Sequence, residues 1–254
     1  MRRIALALAV LAVMFLAACA PSSAPEVKIQ QLTKPLSYYP HQTGAHWEYL
    51  PDGAKITDPR VTEDVEGPTV VGGQVWIAWH LKGRGLDVTR YRQYRPDGVY
   101  LGRENKLGTI ITFDPAIQEF PTEKTLRVGA TWAGDTTVTV KATSSGDQSQ
   151  SSSKDQTKTL HVHYVYTVVD KRQVTLAAGT FEVYVVAFTT RTMDANGNIA
   201  NELTQQLWYT PYVGVIRDEN GNVLIASNVL KAPAGGQGGG GQSSTGSSTS
   251  SKTP

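Results

Sequence analysis

His161 and His163 stand two residues apart in Thr159–Val169, a run that alternates apolar and polar side chains. On a strand this spacing puts both imidazoles on one face, and such a pair can chelate zinc or copper. The run holds no Cys or carboxylate to complete a ligand set. A polar-face pair is therefore the simpler reading, and neither a metal nor another cofactor is expected. His41 and His46, on either side of Gly44, read the same way. A second group that could do chemistry is the basic run Lys82–Lys106. Arg84, Arg90, Arg92, Arg95 and Arg103 stand there with Lys82 and Lys106, against Asp87, Asp97 and Glu104. The plain expectation is a solvated strand face. The sharper one is a patch for anionic lipid headgroups or envelope polysaccharide.

Other catalytic patterns find little purchase. A nucleophilic serine on a Gly-x-Ser-x-Gly turn is missing, and most serines crowd into two low-complexity stretches. Carboxylate pairs for glycoside hydrolysis can come from distant positions, and nothing singles one out. Asn196-Gly197-Asn198 and Asp218–Asn222 read as turns, since the full calcium-loop pattern is missing.

Cys19 is the single cysteine of the 254 residues, so no disulfide framework is available. Ahead of it, Arg2 and Arg3 precede an apolar stretch, Ile4–Leu16, that is short for a bilayer span. The stretch ends in Leu16-Ala17-Ala18-Cys19, which resembles the bacterial lipobox. The resemblance implies removal of residues 1–18, lipid on Cys19 and attachment to a bacterial membrane on the exported side. The formal charge of +2 lies in Arg2 and Arg3, and without them 22 basic residues face 22 acidic ones. A neutral chain argues against a general polyanion binder, and no nucleic acid is expected. Residues 19–35, with three prolines, read as a tether. Residues 232–254 are almost wholly Gly, Ser, Thr, Gln and Ala and read as a disordered tail.

Positioning falls to the interval 36–231. About a dozen short apolar segments, broken by Gly, Pro, Asn and Asp, predict an all-β antiparallel fold with no substantial helix after the signal. A barrel, a sandwich and an open curved sheet all fit. Several motifs occur twice. Gly44-x-x-Trp47 is matched by Gly129-x-x-Trp132, Val70–Leu81 by Leu176–Phe188, and Tyr94–Val99 by Tyr209–Val215. These pairs predict two related units, about 36–113 and 114–231, the second with a flexible Ser-rich loop at 143–158. Pro96 and Pro211 are expected at equivalent bends.

Gly44-x-x-Trp47-x-Tyr49, Ala178-Gly179-Thr180-Phe181-x-Val183 and Trp208-Tyr209-x-Pro211-x-x-Gly214-Val215-Ile216 resemble motifs of a set of uncharacterised bacterial envelope lipoproteins, over most of 36–218. The resemblance implies an envelope location and brings no catalytic residue. The expected role is a non-enzymatic binding or interaction module with a lipid, polysaccharide or protein partner. A carrier of lipid or another hydrophobic ligand in a β cavity is the alternative, and an envelope hydrolase the third reading.

Overall fold

A computed structural model describes residues 37–142 and 157–230. Cys19, the tether, the tail and most of the Ser-rich loop lie outside these residues, although Thr157 and Lys158, expected in that loop, already belong to a strand.

Twelve strands follow in order: β1 (His46–Pro51), β2 (Val61–Val71), β3 (Gln74–Gly83), β4 (Leu86–Arg95), β5 (Gly98–Lys106), β6 (Thr109–Pro121), β7 (Thr131–Ala142), β8 (Thr157–Leu176), β9 (Gly179–Met193), β10 (Ile199–Thr210), β11 (Gly214–Arg217) and β12 (Asn222–Ser227). Each pairs antiparallel with its neighbours in sequence, and β12 pairs with β1, closing a barrel. Of the three all-β shapes the pattern allowed, the barrel is the one formed. Closure removes the free sheet edges on which other chains could pair.

The period of two places the core. Val61, Glu63 and Val65 of β2 are buried while Thr62 and Asp64 are not, and in β8 Tyr164, Tyr166 and Val168 are buried while His161, Val165 and Thr167 are not. The opposite face carries polar and ionic pairs, among them His46–Asp64 at 2.6 Å, His80–Asp87 at 2.8 Å and Arg191–Glu202 at 2.5 Å. That outer wall is the reverse of the apolar band a membrane-spanning barrel turns to lipid.

One seam departs from regular pairing. β6 pairs with β7 only from Thr109 to Asp114, opposite Ala142 to Thr137. Beyond it, side chains take over the β6 backbone. The Trp132 indole N–H donates to the Gln118 carbonyl at 2.9 Å, the Gln118 N–H donates to the Tyr164 hydroxyl at 3.2 Å, and the Thr136 hydroxyl donates to the Pro115 carbonyl at 2.7 Å. Behind it Trp132, Tyr166 and Phe188 stack across β7, β8 and β9, with centroid spacings of 5.3 and 5.2 Å.

The turns fall where the paired motifs placed them. Pro96 joins β4 to β5, Pro211 joins β10 to β11, and the two Gly-x-x-Trp motifs lead into β1 and β7. Each run of six strands thus carries its Pro in the same connection. Gly98 follows at φ +147°, where a Cβ would lie 2.3 Å from the Phe120 carbonyl, and Gly214 follows at φ +108° with Trp47 against it. The expected division at 113/114 falls inside β6.

Antiparallel order puts the β2–β3, β4–β5, β6–β7, β8–β9 and β10–β11 connections at one end of the barrel, together with the start of β1 and the close of β12. Ser37–Ala45 crosses this end as a strap. The Tyr38 carbonyl accepts from the Tyr209 hydroxyl and from the Tyr212 N–H at 3.0 Å, and the Tyr39 hydroxyl donates to the Pro121 carbonyl at 2.7 Å. His41 stacks on Tyr94 at 3.9 Å. Asn228 ties the strap to β12, accepting from the His46 N–H at 2.9 Å and donating to the Gly44 carbonyl at 2.8 Å.

Candidate functional site

Strand β4 supplies the centre of the lumen. Val88 and Arg92 are buried and Arg90 and Tyr94 partly so, and all four alternate onto the inner face. Burying a guanidinium is costly unless acids meet it, and four neighbouring segments provide them. Arg92 Nε lies 2.6 Å from Glu119 Oε2 of β6 and its Nη2 lies 3.3 Å from Oε1, while Nη1 reaches Glu63 of β2 at 3.5 Å. Arg90 donates to Glu104 of β5 and to Glu219 of the β11–β12 turn, each at 2.8 Å. Aromatic rings flank the network on the strap side. The Arg92 guanidinium sits 4.8 Å over Trp79, which stacks on Trp47 at 5.2 Å. The Trp47 indole N–H donates to the Val213 carbonyl at 2.7 Å.

Four carboxylates against two guanidiniums leave a formal excess of two negative charges. Burial, the largest influence, raises the Glu63 carboxyl above its ordinary value, although Arg92 and Arg90 pull it down. Burial also opposes ionisation of Glu219, but Arg90, backbone hydrogen bonding and Arg92 outweigh it and hold this carboxyl below its usual range. The same barrel thus contains one acid that resists ionisation and one that favours it.

A cavity of about 60 Å³ remains beside this network, bounded by Tyr49, Glu63, Trp79, Arg92 and Tyr94. It has room for a few waters, well below the several hundred Å³ typical of sites for small organic ligands. Tyr39, Tyr94 and Val99 separate it from an open cleft of about 620 Å³ at the strap end. That cleft lies between the strap residues Ser37–His41, the β4–β5 turn and the Thr122–Lys124 segment of the β6–β7 connection.

The five arginines expected to share a solvated face do not share one. Arg90 and Arg92 point into the lumen and are neutralised there. Arg84 sits in the β3–β4 turn at φ +52° and donates to the Pro59 carbonyl. Arg95 and Arg103 lie on the outer face, over the rings of Tyr100 and Tyr91 at 4.3 and 5.6 Å. Strand alternation divides the run, which reading it as a block overlooked. His163 meets Asp135 across the β7–β8 ladder at 2.8 Å, and His161 stands 3.5 Å from the Thr137 hydroxyl. Among the described residues no three His, Cys, Asp or Glu side chains come together as a metal site. Sequence reasoning missed Glu63, Glu104, Glu119 and Glu219, and it missed the Tyr38-Tyr39 strap. A signal for Glu63 was present, because it stands between Val61 and Val65 at the inward positions of its strand.

No protein-family model matches the chain. No curated protein matches it either. Two solved structures overlap it. One is a candidate exported protein with a YmcC-like fold from Bacteroides fragilis, at 10% identity and TM-score 0.38, covering 76% of this chain and 99% of its own. The other is a candidate lipoprotein from Parabacteroides distasonis, at 12% identity and TM-score 0.31, covering 77% of this chain and 100% of its own.

Proposed function

We propose that this is a lipid-anchored cell-envelope protein, held to a bacterial membrane through Cys19 on the exported side, that works as a non-enzymatic binding or interaction module. Anchoring rests on the sequence, where the h-region length, the small residues and the cysteine position agree. Two or three acyl chains would supply the multiple anchors that stable attachment needs.

The observation that carries the module reading is the filled lumen. Ion pairs and stacked rings occupy the barrel interior, and the strap crosses one end of it. A body of this kind offers its partners the rim and the outer wall. A carrier of lipid in the lumen would need several times the present cavity. The two six-strand runs, each with a Gly-x-x-Trp strand first and a Pro in its fourth connection, support the further reading that they are copies of one unit.

The anchoring half is tested by metabolic labelling with radioactive palmitate. Label should enter the natural chain and be lost in Cys19→Ala, and label retained by that variant would overturn it. The module half is tested by copurification after mild extraction. A stoichiometric lipid in the lumen would displace it in favour of the carrier.

A further inference from the structure

The geometry points to the strap-end cleft as a binding site for the phosphodiester headgroup of a membrane phospholipid, a proposal that rests on the lipid-anchored reading above. Its volume of about 620 Å³ suits a headgroup-sized ligand, whereas the lumen beneath it does not. Its walls are the rings of Tyr38, Tyr39, His41 and Tyr94, and its rim carries Arg95 and Lys124. Glu123 is the opposing charge. It lies near enough to add to the upward pKa shift of the Tyr38 hydroxyl, which burial mainly causes. Cations with aromatic walls match a phosphate flanked by polar or amphipathic groups.

A second observation gives the cleft its orientation. The described residues begin at Ser37, in the strap itself, 18 positions after Cys19 in the sequence. Exposed apolar side chains also stand there, at Val128 of the β6–β7 connection and Tyr212 of the β10–β11 turn. Arg127 is exposed beside Val128. A lipid anchor brings this end toward headgroups, where each Lys or Arg near an anionic surface adds about 1 kcal/mol.

The test uses the full-length lipidated protein in phosphatidylglycerol vesicles that carry a photoactivatable headgroup analogue. Crosslinks should map to Tyr38, His41 and the Thr122–Lys124 segment. They should fall about fivefold in Arg95→Gln and again about fivefold when Lys124→Gln is added, while Lys106→Gln, in the β5–β6 hairpin at the opposite end, leaves them unchanged. Labelling of both ends alike, or labelling indifferent to Arg95 and Lys124, would overturn the site. Equal labelling by a soluble photoactivatable glycerophosphodiester would overturn the membrane as the source. The intact mass of the same sample reports acylation of Cys19 independently, so a failed anchor is told apart from a failed site.

Discussion

Arg92 grips Glu119 with two donors, Nε to Oε2 at 2.6 Å and Nη2 to Oε1 at 3.3 Å, and touches Glu63 with a third at only 3.5 Å. The two acids therefore contribute unequally. Glu119 takes the fork geometry that makes arginine–carboxylate pairs strong, whereas Glu63 is a buried carboxyl with a longer contact.

Removing the guanidinium should be the most damaging change in the lumen. Arg92→Gln leaves Glu119 without its paired guanidinium and Glu63 with only Arg90 nearby, and should cost about 3–5 kcal/mol. Glu119→Gln should also destabilise clearly, while Glu63→Gln should be neutral or stabilising at pH 7. Urea denaturation of the three variants checks the order, and a Glu63→Gln cost equal to that of Glu119→Gln would contradict it.

Glu63 also sets a pH dependence. Its carboxyl is raised in the folded barrel, mainly by burial, above the ordinary value of 4.5. The folded state therefore holds this proton more tightly than the unfolded chain does. The resulting stability is fully present below pH 4.5 and is lost as pH rises through the folded value. Relative to the natural protein, Glu63→Gln should gain stability between pH 4.5 and pH 7.5. Denaturation curves at both pH values measure that gain, and a constant difference would count against the assignment.

Two turns of the same build should respond to acid in opposite ways. Asp194-Ala195-Asn196-Gly197-Asn198 and Asp218-Glu219-Asn220-Gly221-Asn222 share one geometry. In each, Asp Oδ1 accepts from the N–H groups two and four residues on, at 2.8–2.9 Å. At Asp194 these donors, the Asn198 N–H first, outweigh slight desolvation and lower the carboxyl below its ordinary 3.8, so its contribution is present above pH 3.8 and fades on acidification. At Asp218 burial dominates and raises the carboxyl, so its contribution fades as pH rises. Asp194→Asn should lower the melting temperature at pH 7, and that loss should shrink as the pH falls below 3.8 toward 2.5. Asp218→Asn should cost less at pH 7 than at pH 2.5. Thermal melts at both pH values give all four numbers.

The β6–β7 seam should be sensitive to one methyl group. A Cβ on Gly134 would lie 2.5 Å from the Tyr164 hydroxyl, the group that accepts from the Gln118 N–H. Gly134→Ala should displace Tyr164 and cost about 1–3 kcal/mol through overpacking. Trp132→Phe removes the donor to the Gln118 carbonyl and should cost a similar amount. Amide exchange at Gln118 should quicken in both variants, and unchanged exchange would show that the side chains do not seal the seam.

What the sequence made legible was the part governed by alternation and turn chemistry. Tyr164, Tyr166 and Val168 face inward as their spacing requires, and Pro96 and Pro211 end strands because neither can donate in a ladder. Barrel closure was not legible, since it depends on β12 meeting β1 across nearly the whole described chain. The lumen network was hidden for a different reason. Arg90 and Arg92 read as solvated because arginine usually is, and their partners lie 14 to 129 residues away in sequence. The alternating Val88, Arg90, Arg92 and Tyr94 held the clue, because a charge between apolar residues on one strand face marks a buried ion pair.

The most direct measurement is the intact mass of the protein extracted from its native membrane. It should show a chain that starts at Cys19, carries acyl groups on that residue and retains no lumen ligand. A chain that keeps residues 1–18 without lipid, or an acylated chain holding one equivalent of a hydrophobic ligand inside the barrel, would contradict it.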